Sequence, residues 1–374
     1  MDDLTADLAA TSQSIRDVLR AECGSRQLHA FIDGQLSLDT LLWKRAAELG
    51  WLGVGLPDGN GGVGLGVQGI ALLHRELGRH LVPGAFISTL CAAQTLADCG
   101  DAAIQAKYLP AVVSGELQIG VPAAMHGHPA TLTVADDRLH GSATELLGAP
   151  QVGVVLAPVR CDSGSPGWAL VKIDGVQARL SGERLWDATR SLCTLACDAV
   201  PFTLVASDEK EAARWRDTLG MHLALAIAFD SVGAAGSILD LTIEYLKTRV
   251  QFDKPIASFQ ALKHRAAILH IDTELARCSA EQALRAAARQ DPDRHAWCAL
   301  AKVAASEVFA KVAGECVQLH GGIGFTWEHD CHLYLKRSQL NLALVDTNNT
   351  QLDFAERGLA AATQAGRSVL ELRL

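Results

Sequence analysis

The hydrophobic period of this chain changes twice, at Glu116 and again near Glu209. Before the first change, apolar residues recur at helical spacing over 38–49, 67–79 and 85–98, and a last short helix opens at Leu109-Pro110. Ser37 or Asp39 supplies an N-cap for the first of these, and Gly50 lies past its end. Between the changes, strands are expected over 117–121, 152–158, 168–173, 176–180 and 194–199, with a turn cluster at 161–167. After the second change a long helix runs to Val250 and breaks at Asp253-Lys254-Pro255. Further helices are expected over 259–289, from His295 to His320, and after Asp346. The fold class is therefore α+β: an N-terminal helical domain (1–115), a middle β-barrel or sandwich (116–206) and a C-terminal four-helix bundle (207–374).

Composition agrees with a mostly helical chain, since 49% of residues are hydrophobic but only 5% aromatic. A net charge of −9 and a pI near 5.8 leave no basic field for nucleic acid or anionic lipid. The first twenty residues are acidic and amphipathic, unlike a secretory leader. No run of roughly eighteen apolar residues is free of charges and breakers. A cytoplasmic protein, bound neither to membrane nor to nucleic acid, is expected. The ten cysteines form no C-x-x-C pair and no zinc-like spacing with histidine, so they are expected to be small core hydrophobes, with no metal site. His126 and His128 are expected to be ordinary loop histidines.

Three segments stand out. One is Arg249-Val250-Gln251-Phe252-Asp253-Lys254-Pro255-Ile256, followed by Gln260 and Lys263. The second is Gln318-Leu319-His320-Gly321-Gly322-Ile323-Gly324-Phe325-Thr326. The third combines Glu48-Leu49-Gly50-Trp51-Leu52-Gly53, Pro57, Gly61-Gly62, Gly64 and Glu76-Leu77-Gly78-Arg79. Singly, each has a local explanation: a cation at a helix C-terminus, a proline breaker, a glycine C-cap. Jointly, their order and spacing resemble the flavin-dependent acyl-CoA dehydrogenase family, whose layout is also α, β, α. The R-x-Q-F and Q-x-x-G-G pair, about seventy residues apart, carries most of the resemblance.

The resemblance implies FAD as cofactor and an acyl-CoA as substrate, with an electron-transfer flavoprotein as acceptor. It places Arg249 at the pyrophosphate of a neighbouring subunit's FAD, where a guanidinium is a charge-assisted fork donor. Gln251, Phe252 and Gln260 would lie along the ribityl and adenosine portion. Gln318 and the backbone at Gly321 and Gly322 would cradle the adenine end, and Thr347 is a further cofactor contact.

Two departures qualify that reading. In the family a glutamate removes the α-proton while the β-hydrogen leaves as hydride to the flavin. The two usual positions for that glutamate fall here on Val345, within Leu344-Val345-Asp346-Thr347, and on Leu223, which precedes Ala224. Neither accepts a proton, and Asp346 stands one residue late. The family's own-flavin loops, T-E-P-x-x-G-S-D and W-I-[ST], fall on Val121-Pro122-Ala123-Ala124-Met125-His126-Gly127-His128 and on Ser142-Ala143-Thr144-Glu145-Leu146-Leu147-Gly148-Ala149. The chain thus resembles the non-base subunit of heteromeric acyl-CoA dehydrogenases for bulky substrates such as steroid side chains. It would be completed by a sister subunit, in an α2β2 hetero-oligomer, and be inactive alone. The alternatives are a homotetrameric dehydrogenase with Asp346 as displaced base, a flavin monooxygenase on the same fold, and a non-catalytic scaffold.

Overall fold

The computed structural model describes residues 2–126, 130–148, 150–183 and 185–367, with side chains from residue 8 onward. Gly127, His128 and Ala149 lie outside the described residues. Six helices come first: α1 (Asp2–Glu22), α2 (Ser25–Ile32), α3 (Leu38–Glu48), α4 (Gly66–Arg79), α5 (Phe86–Cys99) and α6 (Ala102–Val113). Eight strands follow: β1 (Ile119–Pro122), β2 (Leu132–Ala135), β3 (Arg138–Leu147), β4 (Val154–Arg160), β5 (Pro166–Lys172), β6 (Ala178–Glu183), β7 (Leu192–Val200) and β8 (Phe202–Ala206). Then come α7 (Glu209–Thr248), a short hairpin of β9 (Val250–Gln251) and β10 (Lys254–Pro255), α8 (Gln260–Ala288), α9 (Arg294–His320), α10 (Cys331–Ala343) and α11 (Asn348–Gln364). Helices, strands, then helices is the order that the period implies.

Individual elements differ from expectation for identifiable reasons. Helix α6 begins well before Leu109, because Asp101 caps it by accepting the Ile104 amide at 2.8 Å, and Pro110 is carried inside it. Strand β3 was not expected, since its sequence mixes Gly, Ser and Glu among apolar residues, yet it pairs with β1, β2 and β7. The β2–β3 turn is Asp136-Asp137, both at positive φ, a geometry that asparagine and aspartate tolerate. The C-terminal bundle contains α10 in addition to the four helices expected. Its buried positions include Arg337, Ser338 and Asn341, polar residues that mask the helical period.

The middle region forms one eight-stranded sheet in the order β6-β7-β3-β1-β4-β5-β8, with β2 also between β3 and β4. Strands β1 and β2 therefore occupy successive positions along one gap, separated by the loop that begins at Ala123. The sheet core gathers Leu132, Val155, Ala157, Val159, Val171 and Leu195.

The chain divides into two compact units. One comprises Met1–Leu36, Ala71–Val82 and Ala224–Leu374; the other comprises Ser37–Ile70 and Pro83–Leu223. Among the described residues one helix, α7, is long and apolar enough to cross a membrane, but 89% of its apolar window is buried in the fold. Seven cysteines, including Cys91, Cys298, Cys316 and Cys331, are buried and Cys278 is exposed; all ten are free.

Glycines explain much of the third sequence segment. A Cβ on Gly62 would meet Leu56 O at 2.0 Å, and one on Gly78 would meet Asp230 O at 2.2 Å. Gly78 and Gly233, whose Cβ would meet Arg75 O at 2.0 Å, let α4 and α7 cross at backbone contact. Gly78→Ala should lower unfolding free energy by about 2–3 kcal/mol, since neither backbone can yield. Gly314→Ala, in α9 with open space around its Cβ, should instead raise it by about 0.5–1 kcal/mol. Urea denaturation of the two variants beside wild type measures both.

Candidate functional site

The Arg249 segment is built by a tight reversal at the end of α7. The Arg249 amide donates to Tyr245 O at 2.9 Å, and the Ile256 amide donates to Arg249 O at 2.8 Å. Between them β9 and β10 pair Val250 with Pro255 and Gln251 with Lys254. Phe252 and Asp253 form the two-residue loop, at φ of 52° and 61°. Such type I′ turns ordinarily use Asn-Gly, and a non-glycine residue held there stores of order 1–3 kcal/mol. Phe252 is nonetheless 85% exposed, with only an edge contact to Phe259 at 6.1 Å. Among the described residues, no packing beyond the Phe259 edge contact accounts for an aromatic at this strained place.

The second segment closes α9. Gly321 takes positive φ as the C-cap, the usual reason for glycine there. Gly322 is different: its φ is not positive, and nothing lies within 4 Å of a Cβ built on it. The chain's own conformation does not call for glycine at 322. The two segments are joined through the ring of Tyr245, which stacks on His320 at 4.4 Å, while its hydroxyl donates to His320 O at 3.4 Å. Arg249, Gln251, Phe252, Gln260, Gln318, Gly321 and Gly322 are all exposed. The arrangement offers a guanidinium, three carboxamides, an aromatic ring and open backbone, a set suited to a flat anionic ligand.

Thr347 is used locally. It caps α11 by accepting the Thr350 amide at 3.3 Å, and its hydroxyl also meets Thr350 Oγ1. The residues before it form a strained turn, with Val345 and Asp346 at φ of 59° and 65°. Both are buried. Gln351 Nε2 donates to Val345 O at 2.7 Å and lies 3.5 Å from Asp346 Oδ2. Lys302, which sequence reasoning missed, spans this turn: its ammonium donates to Leu342 O, Asp346 O and Asn348 Oδ1 at 3.0, 3.0 and 2.8 Å. A lysine within an apolar helical run gives no sequence sign of such a role. Leu223 is fully buried in α7, and Ala224 nearly so.

In the other unit, the stretches containing Pro122 and Glu145 meet at a cavity of about 500 Å³. Its lining includes Met125, Thr144, Glu145, Trp168 and Arg216. Trp168 comes from β5 and donates its indole N–H to Ala212 O at 3.1 Å. The two stretches thus share one cavity, where they offer mainly small apolar residues and the Glu145 carboxylate. His126 also lines the cavity.

Comparison with known proteins identifies two domain families along the chain. The acyl-CoA dehydrogenase C-terminal domain family matches residues 218–360, and the N-terminal domain family matches residues 5–116. Acyl-CoA dehydrogenase IpdE2 of Mycobacterium tuberculosis is 30% identical over 336 residues, covering 90% of this chain and 92% of that protein. Acyl-CoA dehydrogenase FadE34 of the same organism is 30% identical over 96% of this chain, which spans about half (46%) of FadE34. Among solved structures, a variant of the Tcur3481-Tcur3483 steroid ACAD superposes with a TM-score of 0.85 at 28% identity, covering 96% of this chain and 99% of that one. The ChsE4-ChsE5 complex from Mycobacterium tuberculosis superposes with a TM-score of 0.84 at 26% identity, covering 94% and 97%.

Lys302 gives a measurable consequence. Burial holds its ammonium down to a pKa of about 8 from 10.5, although the charges of Asp346 and Glu307 pull it up. Between those values the unfolded chain keeps a proton that the folded chain has released. Stability therefore rises with pH across that window and is flat, for this group, below it. Relative to Lys302→Met, wild type should gain roughly 3 kcal/mol or less over that range. Paired denaturation curves at successive pH values read the difference.

Proposed function

The chain belongs to the acyl-CoA dehydrogenase family, and from that premise we propose that it is the non-base subunit of a hetero-oligomeric, FAD-dependent acyl-CoA dehydrogenase. Gly322 is the observation that carries this reading. It is exposed, its φ is not positive, and no atom of its own chain would crowd a Cβ. Glycine there is explained by close approach of a group from outside the chain. The exposed Arg249, Gln251 and Phe252 beside Tyr245 supply the donors and the stacking surface for such a group.

These residues fit the adenosine diphosphate portion of FAD bound mainly by a neighbour. Arg249 would hold the pyrophosphate, Gln251, Phe252 and Gln260 the ribityl and adenosine portion, and Gln318 with the 321–322 backbone the adenine end. Thr347, engaged as a helix cap, contributes least. The cavity at Pro122 and Glu145 fits a flavin of the chain's own poorly: β3 offers no tryptophan for stacking, and Glu145 brings a negative charge.

When bound, FAD accepts the β-hydrogen of an acyl-CoA as hydride, and a general base must remove the α-proton. This chain supplies no base at either usual position, because Val345 and Leu223 are buried hydrocarbon. Asp346 is turned into the Lys302 and Gln351 network. The base and the acyl pocket are assigned to a sister chain, in an α2β2 assembly with an electron-transfer flavoprotein as acceptor. Two of the similar structures are themselves named as pairs, Tcur3481-Tcur3483 and ChsE4-ChsE5, and the first is a steroid ACAD. A bulky acyl-CoA such as a steroid side-chain thioester is the substrate class proposed.

Purified alone, the chain should carry far less than one flavin per subunit, read from absorbance near ~450 nm. A stoichiometrically yellow homo-oligomer would overturn the reading. In the assembled complex, Arg249→Ala should weaken FAD binding by about one to two decades, and Arg249→Lys should recover only part. FAD titration of the deflavinated complex measures this, and equal affinities would mean that Arg249 does not reach the cofactor.

A further inference from the structure

We propose that His320, His329 and Cys331 form a binding site for a thiophilic, tetrahedral cation, Zn²⁺ in the first instance, that clips the end of α9 to the start of α10. One ring nitrogen from each histidine and the cysteine sulfur lie within 4.8 Å of one another. The sequence hides the group because its members come from the end of one helix, a turn and the start of the next.

His320 is the best prepared of the three. It is 97% buried, since only 3% of its surface is exposed. Its ring is fixed on one side by the Tyr245 stack and by Nδ1 donating to Cys316 O at 2.9 Å. Nδ1 is also the nitrogen nearest the Cys331 sulfur, so an ion shared with Cys331 binds there in place of the Cys316 carbonyl.

The neighbours suit a cation. The His329 ring lies 4.5 Å from the His320 ring, and Cys331 Sγ lies 3.3 Å from His320 Nδ1. His320 is the last residue of α9, where the helix dipole and the free carbonyls favour positive charge. One thiolate and two imidazoles select zinc-like ions over oxygen-seeking Mg²⁺ or Ca²⁺. Tetrahedral Zn²⁺ sets its N and S ligands about 3.5 Å apart, so the group must close by about 1 Å. His329 can supply that movement, because it is only half-buried and sits in the turn between the helices. Its Nδ1 accepts the Cys331 amide at 3.2 Å, one hydrogen bond surrendered for a metal–nitrogen bond. The Cys331 thiol proton passes to solvent as the S–metal bond forms. Water from the half-exposed side completes the fourth position. The clip would stiffen the turn that carries Gly321 and Gly322, yet it does not depend on the flavin reading.

Co²⁺ as a spectroscopic stand-in for Zn²⁺ tests the site on the full chain. Wild type should retain one ion after desalting, with a thiolate-to-cobalt charge-transfer band and tetrahedral d–d bands. Cys331→Ser should abolish the charge-transfer band. His329→Gln, at a half-exposed turn position that preserves the fold, should weaken retention by more than the roughly 10–100-fold typical of losing an outer-shell partner. Failure of wild type to retain an ion overturns the proposal, as does equal retention by a folded His329→Gln chain. If Cys331→Ser does not fold, the His329 variant decides. FAD binding in the assembled complex is read separately, so failure of one assignment leaves the other standing.

Discussion

Asp230 and Arg337 meet in the helical core with side chains 1% and 0% exposed, their nearest atoms 3.2 Å apart. Two buried charges lose several kcal/mol each in hydration, and their mutual attraction offsets this only when further hydrogen bonds satisfy both. Here they do. Asn341 Nδ2 donates to Asp230 Oδ2 at 2.9 Å and approaches Ser231 Oγ at 3.0 Å, while Arg337 Nη2 lies 3.4 Å from Leu81 O. Arg337 and Asn341 are one turn apart on α10, so they grip α7 along a single face. The same carboxylate residue offers its backbone to Gly78, where α4 crosses. Any slip of α7 along its axis would break the ion pair and drive α4 into a clash. The position of α7 is thus fixed by charge on one side and by sterics on another.

That fixed position decides where α7 ends, and the end is what the proposed function uses. Tyr245, in the last turn, stacks on His320 and so ties the α7 terminus to the α9 terminus. Arg249 and the hairpin follow within a few residues. Beyond this point the surface remains strongly apolar for a free chain. Phe252, Phe325, Ile323 and Trp327 are 85, 74, 48 and 47% exposed, and Ile268, Ile271 and Leu275 share a face of α8 while each is more than half exposed. Scattered apolar residues on a surface need no explanation, but a helix face of three together with a neighbouring turn of aromatics is characteristic of association surfaces. The proposed sharing of a cofactor between subunits would use such a surface.

The order of helices and strands was legible because hydrophobic period is set by which face is buried. The residues that escaped are those whose burial is polar. Helix α10 hid behind Arg337, Ser338 and Asn341, the very side chains that hold α7. Strand β3 hid because turns and a register shift near Ala143 interrupt its alternation. Lys302 carries no mark in the sequence and is fully buried. Of the candidate site, Arg249, Gln251, Phe252 and the Gln318 to Gly322 segment were singled out by a family resemblance, and the ends of the two helices that carry them meet at Tyr245 and His320. The glycines at 62 and 78 were legible as important but not as packing glycines, since only coordinates show whose backbone approaches them.

Two pairs of residues share the same backbone strain, and comparing them separates structure from function. Val345 and Asp346 sit at positive φ, an outlying conformation for a β-branched valine. Their strain is over-determined from within, by three donor contacts from Lys302 to the surrounding turn and by Gln351 at the Val345 carbonyl. Nothing outside the chain is required to account for it. Phe252 and Asp253 sit at similar φ in a two-residue loop, yet their side chains are exposed and the internal contacts are sparse. Strain persists only where surrounding interactions hold it, and a short hairpin of two residue pairs holds little by itself. Under the proposed function, the missing restraint comes from the neighbouring subunit and its cofactor. The position where a base would stand has become a closed internal turn, whereas the hairpin that faces outward has kept a strained, exposed aromatic. The proposed division of labour between this chain and a partner rests on that asymmetry.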